Sequence, residues 1–579
     1  MKKLSTTLAL LVLPVVMMAQ GLHKDIDVES SVTPSKREAT RISVLPSVSL
    51  PPLKPLQLSF SDQVYTTRVP SLISVLDPVA WNPRPFGADS RGYLDLGIGA
   101  PLLQGAVSAG YRPIATDLTS LSVWGQYDGD VYRRSDITWH DHTATAGAKI
   151  THKLNRSMTL GGGLFYTYGF HDMPGYWGRF SQGSSRLGVN AALEGSHGAL
   201  SYRGELGYSR FGFCNPYWSD SALAEMREEN AEASSKVKGT TQNLFTADLG
   251  ASLQMGEHSY LGLDMDISLL TTSSHAIATI PYSGLYQSNV GSIKRGLVEL
   301  HPSYSYRGES ASAVIGAEID FAKNCGGAVK VAPEVTLAWH GLQYLAAEVK
   351  LHGGSTLNTL ASLYEVTPLI NPQLAYSRSH APYIIDGKVA FGPFLGATVQ
   401  LFGGYAKAND WLMPVGSDLE TAGGMAFEAL NISGYRFGVG IGYDNGSTLS
   451  FSARWQHAPG KWKKAWLDCR DRARNVVEAS LKVRPVEKLS LDIDYELRSG
   501  RCIYGYIDDP GQLLGLTYYP LERRGLGTVS NLSLGATYSL TRDFSAFARG
   551  QNLLSRRSLM LGDRPAQGIN FMAGVELKF

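Results

Sequence analysis

The chain ends on the stretch INFMAGVELKF, residues 569–579, which has the two-residue period of a β-strand. One set of alternate positions includes two charged side chains, Glu576 and Lys578. The other alternate positions are apolar or small and end on an aromatic ring: Phe571, Ala573, Val575, Leu577 and Phe579. A strand of this kind needs an apolar environment on one face and water on the other.

The start of the chain, MKKLSTTLALLVLPVVMMAQ, predicts a secretory signal peptide at residues 1–20. Lys2 and Lys3 precede a short apolar run, and the small Ala19 lies where cleavage is expected. After it we find no run of about 18 apolar residues, which a membrane-spanning helix requires. The sequence therefore predicts an exported protein that is either soluble or a membrane β-barrel.

The same two-residue period recurs through the rest of the chain. In LGLDMDISL, residues 261–269, Asp264 and Asp266 alternate with large apolar side chains, and LSLDIDYELRS, residues 489–499, repeats the pattern. The polar face of each segment needs water, which the lumen of a closed barrel provides. A formal net charge of +2 implies no particular partner, we expect no nucleic-acid partner, and no linker divides residues 91–579.

The lengths of the connections separate a membrane barrel from a secreted sandwich or propeller, which shows the same period. Short periplasmic turns that alternate with long external loops are typical of outer-membrane barrels. Short links, for example at 155–157 and 445–447, alternate with long ones, for example at 211–240 and 458–474. We therefore predict an all-β fold, a transmembrane antiparallel up-and-down β-barrel of about 22 strands over residues 91–579.

One stretch within this barrel resists assignment. Residues 366–392 contain Pro368, Pro372 and Pro382, and proline is excluded from central strands because it cannot donate a ladder hydrogen bond. We predict that this stretch is a long periplasmic or lumenal excursion between two strands.

The closing hairpin carries a family resemblance. FSAFARGQNLL, from Phe544 to Leu554, followed by GDRPAQGINFMAGVELKF, resembles the last two strands of TonB-dependent receptors. The resemblance implies location in the outer membrane of a Gram-negative cell, transport of a solute, and contact with outer-membrane lipid and lipopolysaccharide. It also implies that the barrel-assembly machinery reads the closing strand as an insertion signal through Phe571, Ala573, Val575, Leu577 and Phe579.

The resemblance does not extend to the plug domain of that family. Residues 21–90 are too few for the usual plug, and their many prolines predict an extended periplasmic or lumenal segment. Within it, DIDVESSVTPSKREAT, from Asp25 to Thr40, is similar to a TonB box. The expected partners are TonB or a periplasmic or surface lipoprotein.

No catalytic, cofactor or metal site is predicted. His140, Asp141 and His142 fall in a predicted external loop, where alternating side chains of an extended segment point apart. The glycines of GVGIG, residues 438–442, alternate along one strand face and no helix follows, so they form no nucleotide loop. We therefore predict that the protein is not an enzyme.

A basic and aromatic loop is the candidate surface-binding site. On the cell surface such a loop would attract acidic saccharides or lipopolysaccharide phosphates. The alternative is a solvated rim that rests against lipid head groups. The residues are in GKWKKAWLDCRDRARN, from Gly460 to Asn475, and the candidates are Lys461, Trp462, Lys463, Lys464, Trp466 and Arg470.

The chain has four cysteines, Cys214, Cys325, Cys469 and Cys502, in a compartment where disulfides persist. Cys469 and Cys502 fall in consecutive external loops, which are neighbours on a barrel rim, so we predict a bridge between them. Four cysteines allow three complete pairings, and the sequence does not choose among them.

Two functional hypotheses follow. The barrel transports a solute, with residues 21–90 as a minimal gate, or it anchors periplasmic or surface partners and passes nothing. A barrel of this size has a lumen too wide for its wall side chains to fill. The obstruction must come from residues 21–90, the 366–392 stretch, the external loops or a second protein. Both charge signs occur on the inner face, so no substrate charge is selected.

Overall fold

The computed structural model describes residues 91–134, 137–173, 180–214, 239–279, 286–368, 370, 377–417, 426–468, 471–506, 521–556, 558–561 and 566–579. The predicted signal peptide at 1–20 and the proline-rich segment at 21–90 therefore lie outside the described residues. Pro372, Cys469 and Arg470 also lie outside them.

The described residues form 24 strands and one short helix, α1 (Leu360–Val366). No helix among them is both long and apolar enough to cross a lipid bilayer. In chain order the strands are β1 (Gly92–Ala100), β2 (Leu103–Ala115), β3 (Thr119–Arg134), β4 (Ile137–Asn155), β5 (Met158–Met173), β6 (Phe180–His197), β7 (Leu200–Phe213), β8 (Thr241–Gln254), β9 (Ser259–Thr279), β10 (Tyr286–Arg307), β11 (Ala311–Lys323), β12 (Val329–Leu342), β13 (Leu345–Leu357), β14 (Arg378–Phe394), β15 (Ala397–Ser417), β16 (Ala426–Asp444), β17 (Leu449–His457), β18 (Asn475–Val486), β19 (Leu489–Ser499), β20 (Cys502–Tyr506), β21 (Leu521–Gly525), β22 (Val529–Ser539), β23 (Phe544–Gln551) and β24 (Asn570–Lys578).

The strands close into one antiparallel barrel. Each wall strand pairs with the next along the chain, and β24 pairs with β1, for example Val575 with Leu96. β19 pairs directly with β22, so the hairpin of β20 and β21 lies outside the cycle and adds in parallel to the end of β15. The wall therefore has 22 strands, as predicted.

The two faces of the wall differ as the sequence predicts. On β9, Leu261, Leu263 and Leu269 are about half exposed on the outer surface, whereas Asp264 and Asp266 lie on the lumenal face. Large exposed apolar side chains recur around the outside of the barrel in the same way. A closed barrel with an apolar outer band leaves no unpaired strand edge in lipid, which confirms the outer-membrane location.

The turns at the end of the barrel that carries the chain termini are short. At the turn between β16 and β17, the Asn445 side-chain oxygen accepts backbone hydrogen bonds from Ser447, Thr448 and Leu449. Gly446 takes a left-handed φ of 78°, which glycine adopts without strain. These local bonds fix the register of the hairpin, and the short turns lie at the end of the barrel that the sequence predicts to be periplasmic.

The prediction for residues 366–392 is wrong in part, because residues 378–392 belong to the wall strand β14. Pro382 fits there because the register shifts beside it against both neighbouring strands, so no ladder hydrogen bond is lost. The connection between β13 and β14, residues 358–377, lies at the end opposite the termini. In the predicted orientation this end is external, and α1 folds into the lumen, in agreement with the lumenal alternative of the prediction.

The orientation of the barrel has a direct test. Lys463 in an external connection and Lys488 in a periplasmic turn are both exposed. In a Cys214→Ser background, we expect an impermeant maleimide to label Lys463→Cys on whole cells but Lys488→Cys only after lysis. If only Lys488→Cys were labelled on intact cells, the barrel would have the opposite orientation in the membrane.

Candidate functional site: a lid in the external mouth of the barrel

Residues 358–368 and 370, which we call the lid, fold into the lumen from the tip of β13. Thr359 caps the start of α1: its hydroxyl accepts the Ser362 backbone N–H at 3.0 Å, and its own N–H donates to the Ser362 hydroxyl at 3.2 Å. This reciprocal cap satisfies two backbone donors that would otherwise be unpaired at the helix start. Thr367 caps the other end of α1, directly before Pro368.

α1 docks on the inner face of β6, β7 and β8. The Leu360 N–H donates to the Gln242 side-chain oxygen at 2.6 Å. Arg186 on β6 forms an ion pair with Glu365 at 2.9 Å. The Tyr364 ring lies 5.4 Å from the Phe211 ring, and burial raises the pKa of the Tyr364 hydroxyl, so it stays neutral.

An apolar cluster continues from α1 to the far wall of the barrel. Its members come from β7, the lid, β15, β16, β20, the start of β22, the segment before β22 and the connection between β23 and β24, so the cluster crosses the lumen. Barrel interiors are usually polar, and apolar side chains at this level disfavour water in the mouth. The cluster contains Phe211, Phe213, Leu360, Leu363, Val366, Ile370, Leu412, Phe427, Ile503, Leu526, Val529 and Leu561.

In a second external connection, between β17 and β18, residues 458–468 and 471–474 also fold inward. Trp466 is buried on the inner face of β16, where the Arg436 guanidinium lies 4.2 Å from its ring centre. The Trp411 indole N–H donates to the Leu467 carbonyl at 3.1 Å. This connection therefore thickens the wall beside the lid instead of projecting fully from the cell.

A buried ion-pair network anchors this connection. Asp471 accepts from Arg498 on β19 at 2.6 Å and from Arg501 at 2.7 Å, and all three side chains are buried. Arg501 also donates to the Leu559 carbonyl at 3.1 Å. Burial raises the pKa of Asp471, but the guanidinium groups of Arg498 and Arg501 outweigh burial and hold that pKa well below its usual range.

The predicted surface-binding loop is placed only in part. Lys461, Lys463 and Lys464 are exposed, Trp462 is half-buried against Tyr504, and Trp466 is buried within the barrel. Arg470 lies outside the described residues. The binding role of this loop stays a prediction.

The described cysteines, Cys214, Cys325 and Cys502, form no disulfide with one another. Cys502 is buried, and its Sγ lies 3.6 Å from the Gly460 carbonyl oxygen. Its predicted partner, Cys469, lies outside the described residues, so the bridge stays a prediction.

The closing strand has the predicted facing. Phe571 and Phe579 are 58% and 57% exposed on the outer surface. The carbonyl of Phe579 accepts the N–H groups of Arg91 and Gly92 at 2.7 Å, and its ring stacks on Tyr111 with centroids 6.4 Å apart. The chain therefore ends where β24 joins β1. The role of this strand as an insertion signal stays a prediction.

The histidines of WHDH lie in β4, not in an external loop as the sequence predicts, because β3 and β4 continue their pairing to Arg134 and Ile137. His140 pairs with Asp172 and Asp141 with His171, each at 2.7 Å.

A cluster of three carboxylate side chains, which the sequence did not predict, lies on the lumenal face of β10 and β11. Glu299, Glu318 and Asp320 are close enough for their carboxylates to hold a metal ion. The available signal was the spacing of Glu318 and Asp320, which puts both on one strand face.

No protein-family profile and no curated protein matches the sequence. Solved structures match the fold at low identity. The siderophore receptor PirA of Acinetobacter baumannii matches with a TM-score of 0.64 and 8% identity, over 86% of this chain and 81% of that one. The FrpB iron transporter of Neisseria meningitidis matches with a TM-score of 0.62 and 10% identity, over 84% and 81%.

The ferripyoverdine receptor of the outer membrane of Pseudomonas aeruginosa matches with a TM-score of 0.59 and 10% identity, over 86% of this chain and 72% of that one. These likenesses confirm the predicted fold, which is the barrel of such outer-membrane receptors.

Proposed function

We propose that this protein is an outer-membrane transporter whose lumen is closed by the lid and opens when the lid leaves its site on β6, β7 and β8. The observation that carries the proposal is the apolar cluster that crosses the lumen at the external mouth. A barrel that served only as an anchor would not need an apolar closure built from its own loops.

The lid is built to move as a unit. A seven-residue helix is unstable in isolation, so α1 persists only while it is docked. Asn358 and Ser377 bond to each other across the root of the lid, with the Asn358 side-chain amide donating to the Ser377 carbonyl at 2.8 Å. The lid therefore leaves the barrel from one narrow base, and its release leaves the wall pairing intact.

The structural neighbours support transport. They are described as a siderophore receptor, an iron transporter and a ferripyoverdine receptor. The lumenal wall of this chain pairs opposite charges, as in Arg203 with Asp264 at 2.9 Å and Lys388 with Glu348 at 3.1 Å. A wall with balanced charge favours no single ion sign, so we propose a solute selected by shape and hydrogen bonding. We propose that TonB, through residues 25–40, supplies the work of opening.

Tethering the lid tests this function. In a Cys214→Ser background, Arg186→Cys and Glu365→Cys can be joined by a short bifunctional maleimide, because their side-chain ends meet at 2.9 Å. We expect liposomes that contain the untethered barrel to swell slowly in iso-osmotic sugar, and swelling to stop after tethering.

Each single-cysteine variant, treated with the same reagent, is the control and should swell like the untethered barrel. Equal swelling with and without the tether would contradict the proposal. No swelling in any sample would favour the anchor hypothesis instead.

A further inference from the structure

The carboxylates of Glu299 on β10 and of Glu318 and Asp320 on β11 converge on the lumenal wall below the lid. One carboxylate oxygen from each residue lies within 4.8 Å of one from each of the other two. Glu299 and Asp320 are directly paired across the two strands, and Glu318 follows on the same face of β11. Three negative charges at this separation repel one another strongly unless something neutralises them.

Among the described residues, no hydrogen bond satisfies the carboxylate of Asp320. Its side chain is completely buried, and its ion pair with His380 Nδ1 is long, at 3.7 Å. Arg378, buried nearby, donates instead to the Gly327 carbonyl at 2.6 Å and forms no ion pair with the three carboxylates. Burial of a carboxylate without hydrogen bonds costs several kcal/mol, and a cation held by the three carboxylates would offset that cost.

The backbone at Gly354 leaves room for the carboxylate of Glu318. Glu318 accepts the Ser355 N–H at 2.8 Å, and a Cβ on Gly354 would overlap the Glu318 carboxylate. Gly354 has a φ of 131°, which only glycine adopts readily, and lies where the pairing of β13 with β14 shifts register. The glycine and the bulge together hold the carboxylate in place.

Two imidazoles complete the surroundings. His301 Nδ1 lies 3.9 Å from Glu318 and its Nε2 lies 3.4 Å from Asp266, and His380 approaches Asp320 from the lid root. We propose that Glu299, Glu318 and Asp320 bind one divalent cation, with His301 orienting the ligands. Carboxylate oxygens bind such ions at roughly 2.0 to 2.6 Å, so oxygens up to about twice that distance apart can share one ion.

The ion has an entry path and a defined place in the fold. Glu299 and Glu318 are only partly buried, so the site is reached from the lumen. Ser355 and His380 flank the root of the lid, which puts a bound ion beside the hinge of the proposed gate. The binding proposal does not depend on movement of the lid.

Binding to the purified full-length barrel tests the proposal. After treatment with a chelator and dialysis, Mn²⁺, Ca²⁺ and Zn²⁺ are titrated separately by calorimetry. We expect one ion per barrel for at least one of them. Asp320→Asn and Glu318→Gln each keep the side-chain shape and should weaken binding by more than about 100-fold, because loss of outer partners alone costs 10- to 100-fold.

Asp492→Asn is the matched control, since Asp492 is a lumenal acid on β19 that pairs with Lys482 at 3.6 Å. It should leave the affinity unchanged. Heat-modifiable migration on gels confirms that each variant is folded. Absence of stoichiometric binding by the wild type for all three ions, or unchanged binding by both folded variants, would overturn the proposal.

Discussion

Replacing Phe579 by aspartate is expected to abolish assembly of the barrel in the outer membrane. Phe579 completes the outward apolar face of β24, and its backbone carbonyl closes the seam against Arg91 and Gly92. A charge at this outward position faces lipid or its interface, and it removes the aromatic end of the proposed insertion signal. The measurement is the amount of heat-modifiable barrel recovered from outer membranes.

Two controls separate recognition of the terminal ring from general damage. Phe579→Tyr keeps an aromatic ring and should assemble normally. Lys578→Ala changes the neighbouring residue, which does not belong to the apolar face, and should also assemble. Normal amounts of heat-modifiable barrel from Phe579→Asp would contradict the assigned role of the closing strand.

Asp471→Asn is expected to release the connection of residues 458–474 from the wall. The variant leaves Arg498 and Arg501 buried without their shared carboxylate, and removal of one partner from a buried ion pair costs about 3 to 5 kcal/mol. That cost corresponds to a rise in the open population of roughly 10²- to 4 × 10³-fold. Hydrogen exchange of peptides that cover residues 458–474 measures this population directly.

Asp492→Asn again serves as the control, because its partly exposed pair with Lys482 is worth less than about 1 kcal/mol. Unchanged protection of residues 458–474 in Asp471→Asn would show that the ion pairs do not hold this connection.

The pH dependence of this anchor has a defined sign. The folded-state pKa of Asp471 is lowered. The ionised carboxylate therefore contributes its full stabilisation of the folded connection above the unfolded-state pKa of about 3.9. The stabilisation is lost only as the pH falls through the lower folded value. We therefore expect the protection of residues 458–474 to be the same at pH 5 as at pH 7.

The wall was predictable because its signal is local. The alternation in residues 261–269 and 489–499 determines which side chains face lipid, and short turns such as 445–447 alternate with long loops. The structure of residues 366–392 was harder to predict. Pro382 can lie in a strand only because of a bulge, and this bulge forms only against the neighbouring strands.

The lid and the carboxylate site were not predictable for a different reason. Leu360 and Trp466 lie in irregular segments whose burial depends on distant strands, through contacts such as Leu360 with Gln242 and Trp466 with Arg436. The approach of Glu299 to Asp320 depends on the register of β10 and β11, which the sequence alone does not specify to one residue.

Single-channel conductance tests the central claim, that the lid closes the barrel. Because Asn358 and Ser377 already bond to each other, residues 359–376 can be replaced by a short glycine linker. We predict that the full chain is closed apart from brief openings, that the lid deletion gives a large and steady conductance, and that deletion of residues 21–90 leaves the channel closed. A large steady conductance of the full chain, or opening only on deletion of residues 21–90, would contradict this account.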